Sequence, residues 1–203
     1  MTQTTAITRI LDAAERRLRR FGYHGFRLEE VAHDAGVKPA VLQQHFATKE
    51  ALVVELVERY IEEFMAAVAD APPGLVRITA YQDAFRATME DWGRMCLCGL
   101  LGAESKGLPE EVARVTRRFF VRTFEHLAEG LEGDVVDPNQ TAMATMALLE
   151  GATVLARTLG SITAFDAATA ILTDPRNLGG EMVTPDPNPT PPPPVATPLR
   201  GRW

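Results

Sequence analysis

Two adjacent glutamines carry side-chain chemistry that could read DNA bases, and a nearby lysine suits the phosphate backbone. They lie in the segment KPAVLQQ, residues 38–44. A glutamine amide pairs with adenine through two hydrogen bonds, and a valine or alanine contacts a thymine methyl group. If this segment is a helix, its exposed side chains can enter a major groove. The candidate DNA contacts here are Lys38, Pro39, Ala40, Val41, Gln43, Gln44 and His45.

Three flanking residues are suited to the phosphate backbone. Arg27 and Lys49 are cations of the kind that pair with phosphate oxygens. Thr48 is a good N-cap for a following helix, and the free N–H groups at a helix start also bind phosphate. We therefore expect Arg27, Thr48 and Lys49 to position the protein on DNA without selecting a sequence.

The two cysteines, Cys96 and Cys98, form a second group that could react. They are too few for a disulfide framework, and the lack of a neighbouring histidine argues against a zinc site. A buried cysteine behaves as a small inert hydrophobe. The alternative is a sensor of oxidants or electrophiles, which requires an accessible thiol of low pKa. Both interpretations remain open, and no metal or cofactor is expected.

Motifs of enzyme active sites are absent from the sequence. It has no nucleophile elbow, P-loop, HExxH segment or paired-cysteine metal pattern. Three of the four histidines, at positions 24, 33 and 45, fall beside the candidate DNA contacts. The sequence therefore predicts a binding protein and not an enzyme.

The helical spacing of apolar residues predicts the elements that position these groups. Apolar residues recur every three or four positions, and no segment alternates as a strand would. Two short helices, at 28–35 and 39–46, are joined by Ala35-Gly36-Val37 in a helix-turn-helix arrangement. A longer helix precedes them. Further helices are predicted at 48–69, 75–94, 96–106, 109–130, 138–160 and 163–172. We expect an all-α fold of about nine helices, with a three-helix DNA-binding domain at its N-terminal end.

Length and composition agree with one folded chain of moderate size. The 203 residues are 46% hydrophobic and 24% charged, which is typical of globular proteins. Residues 1–60 carry 9 lysines and arginines against 8 acidic residues, whereas the remainder carries 12 against 19. A near-neutral segment on an acidic body fits a small DNA-binding head. We predict domains at 1–48 and 49–175, and a proline-rich, disordered tail at 176–203.

No segment has the features of a membrane or secretory element. The uninterrupted apolar runs are shorter than the roughly 18 residues that a membrane helix needs, and no apolar region follows Met1. Because only two cysteines are present, a reducing cytoplasm is the expected location. We therefore expect no membrane partner.

Large apolar side chains between residues 85 and 124 suggest a ligand pocket. An apolar cavity with a few polar groups is a common composition for small-molecule sites. The candidate effector-binding residues are Phe85, Met89, Trp92, Cys96, Phe120, Arg122 and Phe124. The alternative for each of them is ordinary core packing.

The helix predicted at 138–160 is apolar nearly all round, so more than one surface must cover it. Its own domain covers one side, and a second copy of the chain can cover the other. The candidate interface residues are Met146, Leu149, Ala152, Leu155, Leu159 and Phe165. The alternative is the central helix of a monomer.

Residues 5–60 closely resemble the DNA-binding domain of TetR/AcrR-type transcriptional regulators. The matching positions include Gly22, Gly25 and the segment VAHDAGVKPAVLQQHFATKEAL. The rest of the chain resembles the family in layout and length. The resemblance implies a homodimer in which each subunit supplies one DNA-binding head, while the larger helical domain binds an effector and dimerises. It also implies repression of a palindromic operator, relieved by a small effector.

Three positions depart from the family pattern. Arg27 and Lys38 stand where serine or threonine is usual, and Gln43 replaces an aromatic ring. These changes suggest an altered operator preference. They also leave open a helical dimeric adaptor that has lost specific DNA binding. A thiol-based repressor acting through Cys96 or Cys98 is a further alternative, because residues 95–104 resemble the cysteine-bearing sixth helix of some family members.

Overall fold

The part of the chain that the structure describes is helical. The structure is a computed structural model, and it describes residues 3–89 and 95–173, with side chains from residue 6 onward. The helices are α1 Gln3–Phe21, α2 Leu28–Ala35, α3 Pro39–His45, α4 Lys49–Val68, α5 Leu75–Ala87, α6 Leu97–Ala103, α7 Glu110–Gly130, α8 Pro138–Leu159 and α9 Ile162–Thr169. Short 3-10 turns follow α6 and α9, at Ser105–Gly107 and Ala170–Thr173. These nine α-helices within the described residues confirm the predicted all-α class.

Two helix bounds differ clearly from the predicted ones. α5 ends at Ala87, and the Thr88 hydroxyl donates to the Phe85 carbonyl at 2.7 Å, a local bond that competes with helix continuation. Residues 90–94 lie outside the described part. α6 ends at Ala103 instead of near 106, since the next residues tighten into the 3-10 turn. The predicted tail at 176–203 also lies outside the described residues.

α1, α2 and α3 pack together as a small unit, and α2 and α3 meet at the predicted turn. Gly36 takes a φ of 62°, and its N–H donates to the His33 carbonyl at 3.0 Å. The Val37 N–H donates to the Ala32 carbonyl, also at 3.0 Å. These two bonds satisfy the last carbonyls of α2, as left-handed helix ends do. The turn therefore fixes α3 relative to α2.

We expect Gly36→Ala to lower the free energy of unfolding by about 1–2 kcal/mol, because a side chain is strained at positive φ. The new Cβ would also lie 2.5 Å from Arg9 Nη2. Gly151→Ala is the matched control, since Gly151 is helical and its Cβ would meet nothing within 4 Å. The control should match or exceed the wild type in urea denaturation. Equal losses in both variants would contradict the assigned turn geometry.

α4 connects the head to the rest of the molecule because it packs against both α1 and α7. Its Arg59 pairs with Asp12 and Glu15 of α1, at 2.8 Å and 3.0 Å. The domain boundary predicted between residues 48 and 49 falls where this helix begins, and it stays a prediction.

Aromatic rings fill the centre of the body where α4, α5 and α7 meet. Phe64 of α4 lies 5.2 Å from the Phe119 ring and 5.4 Å from the Phe85 ring, measured between centroids. Tyr60 and Tyr81 extend the cluster on either side. All five side chains are buried. Edge-to-face rings of this kind add to the stabilisation from burial.

α8 has a longer apolar segment than the uninterrupted apolar runs of the sequence indicate. It contains an 18-residue window of mean hydropathy 1.2, apolar and long enough to cross a membrane. In the structure α8 packs against α7 and α9, and its buried positions contribute to the core. Core helices of other proteins have this length and composition, and α8 is packed on α7 and α9.

Candidate DNA-binding surface and ligand cavity

α3 presents the predicted DNA contacts on one exposed surface. Its only buried residue is Leu42, which anchors the helix to the head. Val41 and His45 are half-buried. The exposed residues are Lys38, Pro39, Ala40, Gln43 and Gln44. The surface therefore offers amide, methyl and ammonium groups, which suit adenine, thymine and phosphate in turn.

The start of α2 is capped in a way that compensates for the unusual Arg27. Arg27 makes no side-chain cap, but its backbone N–H donates to Glu30 Oε2 at 2.8 Å. This is one half of a capping box. The exposed guanidinium of Arg27 is consequently free of the capping role and stays a candidate phosphate contact.

Thr48 caps α4 as predicted, and its Oγ1 accepts from the Ala51 N–H at 3.1 Å. We expect Thr48→Ala to lower the free energy of unfolding by about 1 kcal/mol, because that N–H loses its partner. Thr48→Ser retains the hydroxyl and should keep most of the stability. Thermal unfolding of the two variants tests the cap, and similar losses in both would argue against it.

Lys49 occupies a more enclosed place than a phosphate contact requires. Its Nζ donates to the Phe26 carbonyl at 2.5 Å and lies 4.1 Å from the centre of the Phe26 ring. It also lies 4.7 Å from the Tyr23 ring centre. Partial burial lowers the pKa of Lys49, and the Glu104 carboxylate opposes part of this effect. Lys49 thus holds the loop before α2, and its role at phosphate stays a prediction.

An apolar cavity of about 400 Å³ lies between α6, α7 and α8 and is open to the surface along α8. The segment before and within α6 contributes Met95, Gly99 and Gly102, and α7 contributes Phe120. α8 contributes a stripe that includes Met143, Met146, Ala147, Glu150, Gly151 and Val154. The volume is in the range of small-molecule sites.

Phe120 is the predicted effector-binding residue that lines this cavity. Phe85 is fully buried in the aromatic cluster, so it offers no surface to a ligand. Arg122 pairs with Glu62 at 2.5 Å on the outer side of α7. Met89 and Phe124 are half-buried and pack against the core. Trp92 lies outside the described residues.

Both cysteines are fully buried, and neither forms a disulfide. Cys96 lies just before α6, where its Sγ accepts from the Tyr60 hydroxyl and from the Gly99 N–H, both at 3.4 Å. Burial raises the pKa of both thiols well above their ordinary value. Among the described residues, no cluster of three or more histidine, cysteine or acidic side chains could hold a metal ion.

Glu150 is the one charged residue on the described wall of this cavity, and it was not among the predicted effector-binding residues. Neither of its side-chain oxygens touches solvent, and the weak Cys96 thiol is the one donor beside them in the described structure. Burial raises its pKa to about 7, although the nearby Cys96 thiol opposes part of the rise. A signal was available, because Glu150 is the one acidic residue in α8.

Polar contacts connect the cavity wall to the DNA-binding head. The guanidinium of Arg19, a buried residue of α1, donates to the Met95 carbonyl. Arg157 of α8 donates to the Arg19 carbonyl at 3.2 Å, and the Tyr23 N–H donates to Glu104 Oε2 at 2.9 Å. Residues 95–104 therefore contact both the cavity and the end of α1. These contacts join residues far apart in the sequence, so helical spacing does not predict them.

Four of the six predicted interface residues lie inside the subunit. They are Met146, Leu149, Ala152 and Phe165, all at most 5% exposed. The three residues of α8 are buried because that side of the helix packs on α7 and α9 of its own chain. Phe165 is a buried residue of α9 itself. Leu155 and Leu159 are 52% and 68% exposed. Of the predicted interface residues, Leu155 and Leu159 on the outer side of α8 are therefore the ones that a second subunit could contact.

Two family models match the chain and together cover more than two thirds of it. Residues 10–56 match the model for bacterial regulatory proteins of the tetR family. Residues 77–171 match the model for the C-terminal domain of LmrA/YxaF-like transcriptional regulators. The first match contains the helix-turn-helix, and the second contains most of the cavity wall.

Two individual relatives are also named as transcriptional regulators. The HTH-type transcriptional regulator RutR of Escherichia coli K12 is 31% identical over 81 residues, which is 40% of this chain and 38% of RutR. The match thus spans less than two fifths of RutR. UidR from the same strain is 24% identical over 149 residues, covering 70% of this chain and 76% of UidR.

Solved structures of transcriptional regulators superpose on most of this chain. A TetR family regulator from Agrobacterium tumefaciens superposes with a TM-score of 0.77 at 27% identity, covering 83% of this chain and 96% of that one. A regulator from Legionella pneumophila gives 0.74 at 25% identity, with coverage of 81% and 93%. The chain therefore belongs to the TetR family of bacterial transcriptional regulators, which bind DNA through a helix-turn-helix and are not enzymes.

Proposed function

We propose that this protein is a cytoplasmic, ligand-responsive repressor that binds a palindromic operator as a homodimer and leaves it when a small effector binds. The observation that carries the proposal is the direct connection between the body cavity and the head. Met95, Gly99 and Gly102 line the cavity. In the same segment the Met95 carbonyl accepts from Arg19, and Glu104 accepts from the Tyr23 N–H. A ligand that moves this segment would move α1, and with it the recognition helix.

The recognition helix supports the DNA-binding half of the proposal. α3 is held by one buried leucine and leaves its amide side chains exposed. In a helix-turn-helix this helix enters the major groove from its N-terminal end. Gln43 and Gln44 are the side chains that we expect to select bases, whereas Lys38 and Arg27 contact phosphates.

A homodimer is supported by the outer side of α8. Leu155 and Leu159 are both more than half exposed there. Exposed apolar side chains on one helix are typical of an interface between subunits. A two-fold dimer through this surface would carry two heads, as a palindromic operator requires.

The experiment that tests the proposal measures binding to DNA from upstream of the protein's own coding region, against scrambled DNA, at two salt concentrations. We expect preference for the upstream fragment that survives moderate salt. Phosphate contacts alone would give equal, salt-labile binding to both fragments. Selection from random DNA would then decide whether any operator exists, and failure to enrich one would favour the adaptor alternative.

The thiol-sensing alternative has less support than a ligand-gated mechanism. A sensor thiol must be accessible and have a low pKa. Cys96 and Cys98 are instead fully buried, and burial raises the pKa of both. If Cys96→Ser and Cys98→Ser both leave electrophile-triggered DNA release unchanged, this alternative is removed.

A further inference from the structure

The body cavity contains a carboxylate whose environment does not satisfy it. Both Glu150 oxygens are shielded from solvent, and the one donor beside them among the described residues is the weak Cys96 thiol. Buried polar groups are paired in the great majority of cases, and an unpaired one destabilises the fold. A ligand that pairs with Glu150 would offset this cost, so the residue has the character of a binding group.

The position of Glu150 depends on a glycine in the facing helix. A Cβ built on Gly99 of α6 would lie 2.2 Å from Glu150 Oε2. Any larger residue at this position would displace the carboxylate from its place. Gly99 and Glu150 therefore fit one another across the cavity wall, with the carboxylate held between α6 and α8.

The remaining walls of the cavity are apolar. Met95, Phe120 and Val154 line the same cavity with thioether, aromatic and aliphatic surface. Phe120 adds a ring face, and ring faces attract organic cations. A single buried negative charge among apolar walls is complementary to a positive charge that carries apolar substituents.

We propose that this cavity binds an organic cation, a protonated or quaternary amine with apolar substituents, whose charge pairs with Glu150. The proposal names the ligand class of the proposed effector site. Only the coupling between cation binding and DNA release rests on the proposed function. Binding itself is measured without DNA.

The titratable groups around Glu150 favour a cation over an anion. Cys96 and Cys98 approach from the α6 side, and burial keeps their thiols uncharged at neutral pH because it raises their pKa. Behind Cys96, the Tyr60 hydroxyl of α4 donates to its sulfur, and Arg19 of α1 lies over the Tyr60 ring. α7 contributes the uncharged Phe120 ring. Glu150 therefore supplies the only charge on the described cavity wall.

The test is calorimetric titration of the full chain with benzyltrimethylammonium and with neopentylbenzene, its uncharged carbon isostere. The cation should bind the wild type and bind Glu150→Gln at least about tenfold more weakly, because the charge pair is lost. The isostere should bind both proteins with similar affinity. Glu125→Gln is the matched control, since Glu125 is an exposed glutamate of α7, and it should bind the cation as the wild type does.

The pH dependence gives a second readout that needs no variant. A quaternary cation does not titrate, and the pKa of Glu150 is about 7. Its ionised fraction falls about tenfold between pH 8 and pH 6, so the affinity for the cation should fall by about the same factor. The Glu150→Gln variant should show no such dependence.

Several results would overturn the proposal. They are no binding of the cation by the wild type, equal affinities for the cation and its isostere, and an unchanged cation affinity in Glu150→Gln. A change in the dimerisation constant of Glu150→Gln with unchanged cation affinity would assign the carboxylate to a subunit interface instead. DNA selectivity is measured on the same preparation. Cation binding without selective DNA binding would remove the proposed function and leave the site standing.

Discussion

Replacing Phe119 with alanine is expected to lower the free energy of unfolding by about 3–5 kcal/mol, because the change removes a fully buried ring. The Phe119 ring lies 5.2 Å from that of Phe64 and 5.6 Å from that of Tyr60, between centroids. It therefore joins α7 to α4, the helix that also carries the head. The loss combines the lost burial of the ring with the cost of the cavity left behind.

Urea denaturation followed by circular dichroism measures this effect. Val121→Ala is the matched control, because Val121 lies two residues further along α7 and is 44% exposed. A surface substitution of this kind should change stability by less than about 0.5 kcal/mol. A stability loss in Phe119→Ala as small as that in Val121→Ala would mean that the α4–α7 contact contributes little to the folded state.

The helix-turn-helix was predictable because its signals are local in sequence. Gly36 is the residue type that a left-handed turn requires, and it takes that conformation. Pro39 stands at the first turn of α3, and Thr48 caps α4. Each signal lies within a few residues of the structure that it determines. The exposed surface of α3 followed from the same spacing.

The wall of the cavity was not predictable in this way, because it is assembled from distant segments. Glu150 meets Gly99 across 51 positions of sequence, and Arg19 reaches the Met95 carbonyl across 76. Helical spacing shows that a residue faces inward but not which element it meets. Phe85 and Phe120 both read as candidate pocket residues, yet one lies in the core and the other lines the cavity.

The interface prediction was limited by a related ambiguity. α8 is apolar around most of its circumference, so its spacing does not separate the side that meets its own subunit from the outer side. Leu149 lies on the buried side and Leu159 on the outer side, although both are leucines of one helix. The contacts of α8 with α7 and α9 resolve the two sides, and these contacts depend on the whole fold.

Replacing Leu42 with alanine is expected to lower the free energy of unfolding by about 2–5 kcal/mol and to weaken all DNA binding. Leu42 is the only buried residue of α3 and is 1% exposed. Without it, the helix loses the contact that fixes its angle to the head. A recognition helix without a fixed orientation cannot hold its side chains against the base edges.

Gln43→Ala changes the neighbouring residue and should give the opposite pattern. Gln43 is exposed, so its loss should leave stability within about 0.5 kcal/mol of the wild type. If Gln43 pairs with a base, the variant should lose about 1–3 kcal/mol of discrimination at one operator position and keep its preference elsewhere. Denaturation together with binding to a panel of single-base operator variants separates the two effects. Uniform weakening across the panel by Gln43→Ala would show that this glutamine positions the helix and does not read a base.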